Sequence, residues 1–192
     1  MKKVAIVLLS LLCVAGLAFA ADGLSPYFDK GSMAADVGIG WGGLSGGVEY
    51  DFVSFNIAKA VPLTIGAAAR VTLDPGLLDT DSSFTLGAGA LATAHVELSG
   101  LEVPDWLKKI DFGFGLGLGF ATATPAGDYS DYTASPGIGI ATFESLSYFF
   151  NKNLAVSFEY GYLGDVNYKW TYWDLSYPYP VYYSTIGITY KF

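Results

Sequence analysis

Strict alternation between bulky apolar and small or polar residues is the feature that most constrains the fold of this chain. In residues 112–120, five bulky apolar side chains alternate with four glycines. Because a β-strand directs successive side chains to opposite faces, this segment is predicted to be a strand with one apolar and one small face. The pattern recurs in residues 33–41, 63–73, 84–97, 154–163 and a last strand that ends at Phe192.

Two further segments alternate less regularly. Residues 48–52 alternate cleanly before the phase changes at Val53, which predicts a β-bulge. Residues 138–140 begin another strand, but Glu144 then falls on its apolar side, so a bulge or a strand exit is predicted there. The sequence therefore predicts eight strands, an even number, with segments near the ~9–11 residues that a tilted membrane strand requires.

A soluble β-sandwich also alternates, but two features favour a membrane barrel. The bulky face continues through successive strands, and the opposite face is dominated by Gly, Ala, Thr and ionisable residues, as in a polar lumen. We therefore predict an all-β fold, an eight-stranded antiparallel up-and-down transmembrane β-barrel surrounded by lipid. The net charge of −8 argues against a nucleic-acid partner.

Residues 1–20 have the form of a secretory signal peptide. They begin with a positive segment, continue through an apolar stretch over residues 4–16 and end in small residues suited to cleavage after Ala20. Removal leaves residues 21–192 as one barrel domain, predicted to reach the cell outer membrane after secretion across the inner membrane. Cys13 lies within the signal, so the mature chain has no cysteine for a disulfide or a nucleophile.

The predicted connections alternate between short inner turns and longer outer loops, as in outer-membrane barrels. Residues 151–153 form a tight inner turn, and the outer loops are predicted at residues 42–47, 74–83, 123–136 and 164–180. Residues 99–109 form an unusually long inner connection, with one predicted helical turn that starts at Pro104. This connection is either a cap with Trp106 in the interfacial aromatic belt or a periplasmic docking site.

The C-terminal residues carry the most specific short motif. The chain ends in Thr-Ile-Gly-Ile-Thr-Tyr-Lys-Phe, in which Thr185, Gly187, Tyr190 and Phe192 match the terminal signal of outer-membrane proteins. With the strand layout, the mature chain resembles the small eight-stranded bacterial outer-membrane β-barrels typified by OmpX, OmpW and the OmpA membrane domain. The resemblance implies two partners, outer-membrane lipid and the barrel-assembly machinery that reads this motif.

The prediction about catalysis rests on one histidine, His95. Lipid A deacylases of this barrel class carry His-x-Ser near the outer rim, whereas this chain has a glutamate, Glu97, at the serine position, and the strand direction puts His95 near the periplasmic end. We interpret His95 as a hydrogen-bonding residue of the lumen, with a pH-sensitive gate and a catalytic role as alternatives. No paired His or Cys spacing follows the signal, so no metal site and no cofactor are predicted.

Inward-facing charges predict a cluster inside the lumen. Arg70 faces inward on the third strand, and Glu49 and Asp51 face inward on its neighbour, where unpaired charge would be costly. Lys191 faces inward near the bottom, within possible reach of Glu97, His95 or Asp36. The predicted lumen charge cluster comprises Arg70, Glu49, Asp51, Glu159, His95, Glu97 and Lys191.

Whether the lumen is open is the main alternative that the sequence leaves undecided. Side chains can just fill an eight-stranded barrel, yet many inward positions are Gly, Ala, Ser or Thr. One hypothesis is a narrow wet cavity interrupted by the Arg70 cluster and by Tyr183. The alternative is that large residues at the strand ends plug the barrel.

The last predicted outer loop is rich in aromatic residues, and Pro178 and Pro180 limit its freedom. Tyr and Trp bury much area with few rotatable bonds, so a recognition site for a host protein, glycan or hydrophobic solute is one interpretation. Aromatic-belt and loop packing is the other. The residues of this predicted surface loop are Tyr168, Trp170, Tyr172, Trp173, Tyr177 and Tyr179.

Three function classes follow for an integral outer-membrane barrel. The first is a narrow, porin-like pathway for small or hydrophobic solutes, and the second is a structural protein whose surface loops serve adhesion or host interaction. A lipid-modifying enzyme is the third and least favoured, since we predict no enzymatic activity. Conductance, loop phenotypes and dependence on His95 would separate them.

Overall fold

A computed structural model describes residues 27–57, 61–75, 84–125, 131–170 and 176–192. Within these ranges, eight antiparallel strands close into an up-and-down barrel, as the alternation predicts. The predicted signal peptide lies outside the described residues. The strands are β1 (Met33–Trp41), β2 (Gly43–Ile57), β3 (Val61–Asp74), β4 (Phe84–Glu97), β5 (Ile110–Thr124), β6 (Tyr132–Phe149), β7 (Leu154–Trp170) and β8 (Ser176–Lys191).

Pairing between the first and last strands closes the barrel. β1 pairs with β8 from Ala34 opposite Lys191 to Trp41 opposite Ser184. Glycine is needed at this seam, because a Cβ added at Gly187 would overlap the carbonyl oxygen of Val37. Closure pairs the first and last strands from Ala34 to Trp41, and a closed ring of strands is the condition for crossing a membrane with strands.

Apolar side chains cover the outside of the barrel on every strand. Leu116 and Leu118 at the middle of β5 are 63% and 69% exposed, and β6 contributes Ile138 and Ile140. Contiguous apolar surface beyond a few hundred Å² is rare on soluble monomers. This apolar band therefore faces lipid. Other exposed members are Val37, Ile39, Val48, Val71, Phe158 and Ile186.

No helix within the described part of the chain is long and apolar enough to cross a membrane.

The apolar band makes a direct prediction at Leu116. Leu116→Arg is expected to lower the free energy of unfolding by about 2–4 kcal/mol, because a charge then faces acyl chains near mid-membrane. Urea unfolding in lipid vesicles measures the loss, with Leu116→Ile as the matched control that keeps the face apolar. A loss for arginine no greater than that for isoleucine would contradict a lipid-facing position.

The strand irregularities agree with the sequence at one place and differ at another. The register between β2 and β3 shifts between Asp51 and Val53, which confirms the predicted bulge. The prediction of a bulge or exit at Glu144 is wrong, since β6 continues through this exposed residue to Phe149. Backbone groups form the hydrogen bonds between strands, so an ionisable side chain on the outer face does not interrupt the strand. The β6–β7 irregularity lies earlier, between Pro136 and Ala141, where proline lacks the N–H that a ladder needs.

The end of the barrel that holds the N- and C-terminal strand ends is called the terminal end here, and the opposite end is the loop end. Connections at the terminal end include residues 98–109. There Leu107 N–H donates to the Pro104 carbonyl at 2.9 Å, and Leu107–Lys109 form one 3-10 turn. This confirms the predicted helical turn. Trp106 is exposed, so the belt and docking interpretations both stay predictions.

At the loop end, strands replace much of three predicted loops. β2 begins at Gly43, directly after Gly42, and both glycines adopt positive φ (87° and 85°), which a tight turn requires. β6 begins at Tyr132, β7 continues to Trp170, and β8 begins at Ser176. The loop predictions over residues 42–47, 123–136 and 164–180 are therefore largely wrong. Tyr and Trp favour strands when they can pair across them, and this outweighs the glycine and proline signals.

Candidate functional site

Three layers of side chains fill the lumen between the terminal end and the loop end. The terminal plug is the chain segment of residues 27–32. The charged layer consists of Asp36, Glu49, Asp51, Arg70, His95, Asp111 and Glu159. The apolar layer, on the loop-end side of the charged layer, consists of Leu91, Phe143, Leu163 and Tyr183. A further buried cluster with Val166, Tyr168 and Val181 lies nearer the loop end.

The terminal plug folds back into the barrel instead of leaving it. The backbone N–H groups of Tyr27 and Phe28 donate to the two carboxylate oxygens of Glu97 at 2.8 and 2.6 Å. The Phe28 carbonyl accepts from Thr64 at 2.9 Å, and the Phe28 ring stacks on His95 with centroids 3.9 Å apart. Glu97 therefore holds the segment, and Phe28 forms the floor of the charged layer.

Side-chain contacts complete the terminal plug. Tyr27 stacks on Phe149 with centroids 4.2 Å apart. Lys191 donates to the Tyr27 carbonyl and lies 3.9 Å from Asp29. The predicted partnership of Lys191 with Glu97, His95 or Asp36 is therefore wrong, because the plug segment stands between them and supplies the acceptors.

Glu97→Ala is expected to release the plug. The variant removes a charged acceptor shared by two buried N–H groups, each such bond contributing about 1.5–3 kcal/mol. Hydrogen exchange at Tyr27 and Phe28 should accelerate by roughly tenfold or more, since ~1.4 kcal/mol is a factor of ten. Glu102→Gln, an exposed change in the adjoining connection, should leave the rates unchanged. Equal rates in both variants would mean that Glu97 does not hold the segment.

Arg70 is the cationic centre of the charged layer. Its guanidinium lies 3.2 Å from Asp36, 3.4 Å from Glu159 and 3.5 Å from Glu49. Only the Glu49 contact is aligned as a hydrogen bond among the described residues. The guanidinium also lies over the ring of Phe143, 4.6 Å from its centroid. One cation therefore compensates three carboxylates and joins the charged layer to the apolar layer.

His95 forms the second part of the charged layer. Its Nδ1 lies 2.8 Å from Asp111 and its Nε2 lies 2.9 Å from Glu49. Glu49 also accepts from Thr93 and so bridges Arg70 and His95. Arg70 and His95 of the predicted lumen charge cluster are thus connected in one network through Glu49.

Asp51 does not pair with Arg70, contrary to the prediction. It is fully buried, and neither carboxylate oxygen has a hydrogen-bond partner among the described residues. The β2 bulge follows it directly, and β3 offers Gly66 opposite it instead of a donor side chain. Asp51 is therefore the unexplained group of this network.

A small polar cavity of about 30 Å³ borders the charged layer, room for about two water molecules. Hydroxyl groups line it: Ser147 contacts Ser157 at 2.8 Å, and Ser157 contacts Thr189 at 2.7 Å. Phe28 and Arg70 also line it. A polar pocket therefore lies within the lumen, and its hydration stays a prediction.

The small inward residues do not leave the barrel open. A Cβ at Gly115 would overlap the ring of Phe143, and one at Gly161 would overlap the ring of Tyr183. Leu163 similarly lies against Gly87 and Gly89. The glycines make room for the few large inward side chains, and all four residues of the apolar layer are buried. At these positions the glycines are therefore filled by large neighbours and leave no free space.

The terminal-motif residues divide between the two faces. Thr185 faces the lumen and contacts the Ser45 hydroxyl at 2.9 Å, and Gly187 lies at the seam. Tyr190 and Phe192 are exposed on the outside. This arrangement gives the motif a local packing reason, while its reading by the assembly machinery stays a prediction.

An aromatic extension stands at the loop end. We give this name to Tyr132, Tyr168, Trp170, Tyr177 and Tyr179. Tyr132 stacks on Trp170 at 6.0 Å, and Tyr168 meets Tyr179 edge to face at 5.8 Å. Tyr168 is buried, whereas Trp170, Tyr177 and Tyr179 are 37%, 40% and 52% exposed. Two residues of the predicted aromatic loop, Tyr172 and Trp173, lie outside the described residues.

Sequence reasoning missed several residues of the site. Asp111 precedes the segment taken as the fifth strand, although its parity matches the inward glycines from Gly113 onward. Phe143 occupies an inward-facing position in the alternation of its strand, so the sequence pattern could have identified it. Tyr27 and Phe28 carry no signal that predicts a return into the barrel.

Comparisons with known proteins identify the fold. No family model and no curated protein matches the chain. The crystal structure of Ail, the attachment invasion locus protein of Yersinia pestis, aligns over 85% of this chain and 99% of that one, at 14% identity and a TM-score of 0.50. The outer membrane protein OprG of Pseudomonas aeruginosa aligns over 89% and 99%, at 14% identity and a TM-score of 0.44.

At such low identity, these likenesses concern architecture alone. The strand number, the closure of β1 on β8 and the apolar band lead to the same architecture independently. This chain has the fold of the small eight-stranded outer-membrane β-barrels, and its apolar exterior is that of an integral membrane protein.

Proposed function

We propose that this protein is a closed-lumen outer-membrane barrel that recognises an external macromolecule through its aromatic extension. The observation that carries the proposal is the series of three filled layers, with the terminal plug, the charged layer and the apolar layer stacked along one axis. A solute pathway would have to displace each of them. We therefore place the functional site at the exposed loop end and not in the lumen.

Strand length supports a projecting surface at the loop end. β6, β7 and β8 contain 18, 17 and 16 residues, whereas about 9–11 suffice to cross the membrane. β1 ends at Trp41 opposite Ser184, so the first half of β8 continues beyond it. The aromatic extension occupies this excess length and stands outside the lipid.

The chemistry of the aromatic extension suits binding. Trp and Tyr combine large apolar faces with a polar group and lose little entropy on contact. Buried Tyr168 and neighbouring Val166 and Val181 support the exposed rings from below, so they are preorganised. The net charge of −8 favours a neutral or basic partner over a polyanion. The Ail of Yersinia pestis is named for attachment, so this fold is compatible with such a role.

A non-enzymatic role is part of the proposal. The His95 ring nitrogens contact two carboxylates, Asp111 and Glu49, and not a hydroxyl nucleophile. The imidazole also lies within the charged layer, and the apolar layer stands between it and the loop end, where outer-leaflet lipid would enter. Acyl transfer needs a nucleophile beside its base.

A triple variant tests the proposal. Cells displaying the barrel with Trp170→Ser, Tyr177→Ser and Tyr179→Ser should bind epithelial monolayers at least tenfold less than cells with the unchanged barrel, since one aromatic hot spot contributes about 2 kcal/mol or more. Trp106→Ser, an exposed tryptophan at the terminal end, is the matched control. Protease or glycosidase treatment of the monolayer identifies the partner as protein or glycan. Undiminished binding by the triple variant, or no binding above cells without the barrel, contradicts the proposal.

A further inference from the structure

The orphaned carboxylate of Asp51 requires an explanation. Burying an ionised group without a partner is strongly unfavourable, yet Asp51 is 0% exposed and neither oxygen accepts a hydrogen bond from a described residue. Its surroundings add to the problem, because Glu49 and Asp111 belong to the same network. A group that compensates negative charge is needed next to Asp51.

The charge balance of the lumen also indicates that a positive group is needed next to Asp51. Among the described residues, five buried carboxylates face one buried guanidinium and one buried imidazole. Arg70 already serves Asp36, Glu49 and Glu159. Lys191 is engaged at the plug with Tyr27 and Asp29. No described cationic side chain is within ion-pair distance of Asp51.

Three ligand atoms converge at this place. Glu49, Asp51 and His95 each offer one atom, and these atoms lie within 4.8 Å of one another. The donor set of one imidazole and two carboxylates is that of many sites for divalent first-row metals, with zinc and manganese the usual occupants. A Cβ at Gly66 would lie 2.8 Å from an Asp51 carboxylate oxygen, so the glycine leaves room beside that carboxylate.

Asp111 supplies the outer support that metal-binding histidines generally have. Its carboxylate lies 2.8 Å from His95 Nδ1, so Nδ1 donates to it, and Nε2 would be the metal-binding atom once its proton is lost to the ion. Nε2 points at Glu49, 2.9 Å away. Such a carboxylate fixes the tautomer and the orientation of the ring. The Phe28 ring stacked on His95 shields the site from the terminal end.

We propose that Glu49, Asp51 and His95 bind one divalent transition-metal ion, with Asp111 positioning His95. The ion neutralises the two ligand carboxylates and removes the unpaired charge of Asp51. It joins β2 to β4 inside the barrel and strengthens the charged layer. This site is independent of the proposed surface recognition, and either can fail without the other.

Metal content after refolding tests the site. The mature barrel is refolded into detergent with Zn²⁺, and in parallel with Mn²⁺ or Ca²⁺, then desalted and measured by mass spectrometry of the metal. We expect one Zn²⁺ per chain in the unchanged protein and near none in Asp51→Asn and His95→Gln. Glu159→Gln, a buried carboxylate of the same layer outside the ligand set, is the matched control and should keep one. Asp111→Asn should bind about 10–100-fold more weakly.

Substitution with Co²⁺ gives a second readout. The unchanged barrel should show visible absorption bands of N/O-ligated cobalt that disappear in His95→Gln, and heat-dependent gel migration shows which variants have folded. An unchanged barrel that retains neither Zn²⁺ nor Mn²⁺ overturns the proposal. Equal metal content in Asp51→Asn, His95→Gln and the unchanged protein also overturns it, and then Asp51 must carry a proton.

Discussion

Arg70→Ala is expected to lower the free energy of unfolding by about 3–5 kcal/mol, because it leaves buried carboxylates without their cation. Arg70 contacts Asp36, Glu49 and Glu159 at 3.2–3.5 Å and is itself 5% exposed. Urea unfolding of the barrel in lipid vesicles gives the value. Lys152→Ala, an exposed lysine in the terminal-end turn, controls for loss of positive charge.

A compensating variant separates charge pairing from packing. Arg70→Ala combined with Asp36→Asn and Glu159→Gln should recover part of the lost stability, since fewer buried charges are then unpaired. The free energy of unfolding of Arg70→Lys should lie between that of the unchanged protein and that of Arg70→Ala. An ammonium group cannot reach three carboxylates as a planar guanidinium does. A loss below about 1 kcal/mol in Arg70→Ala would mean that the network contributes little.

Opening the lumen should require changes at both ends. Phe143→Ala with Tyr183→Ala removes most of the apolar layer, and Tyr27→Gly with Phe28→Gly removes the rings of the terminal plug. Because the two barriers act in series, each pair of changes alone should leave liposomes impermeable to small sugars. All four together leave the charged layer and the smaller side chains as the remaining barrier, so we expect swelling to appear from a baseline of none.

The swelling experiment has internal controls. Heat-dependent gel migration shows whether each variant has folded, since truncating a buried aromatic residue costs about 3–5 kcal/mol. Leu116→Ile changes the outside of the same barrel and should leave permeability unchanged. Swelling in the plug variant or the apolar-layer variant alone would mean that one barrier suffices, which contradicts closure in series.

The fold was predictable because one physical rule governs it. Alternation places β1 and β4 within the bounds that the structure has, Met33–Trp41 and Phe84–Glu97. The phase change at Val53 predicts the bulge. In each of these strands the outer face must be apolar because it contacts lipid, and the inner face must be small because the lumen is packed. The sequence pattern is therefore unambiguous.

The strand extensions at the loop end were not predictable in this way. Beyond the membrane, neither face has to be apolar, so period-two alternation fades and glycine and proline suggest a loop. Pairs such as Tyr168 opposite Tyr177 maintain the ladder there. Their stabilisation depends on a neighbouring strand that the local sequence does not specify.

The site was predictable in composition but not in arrangement. Inward parity identified Arg70, Glu49 and His95, because a charge on the small face has to lie in the lumen. It did not show that Glu49 joins the two others, since height in the barrel depends on strand tilt and register. The return of Tyr27 and Phe28 to Glu97 is a contact across about 70 residues, which no local pattern encodes.

The N-terminal segment, which folds back into the barrel, argues against an open channel through the lumen. A barrel lined with glycine and alanine suggests a channel, yet the buried side chains of Phe28, Phe143 and Tyr183 occupy its interior. The charged layer between them joins β1, β2, β3 and β7 through Arg70. The interior is thus a packed core that connects strands on different sides of the barrel.

Ion current through the unchanged barrel in planar lipid bilayers tests this closed lumen most directly. With the protein shown to be folded and inserted, we expect a current indistinguishable from that of the bare bilayer at all applied voltages. Reproducible unitary current steps from the unchanged barrel would contradict a closed lumen and restore the solute pathway as its function.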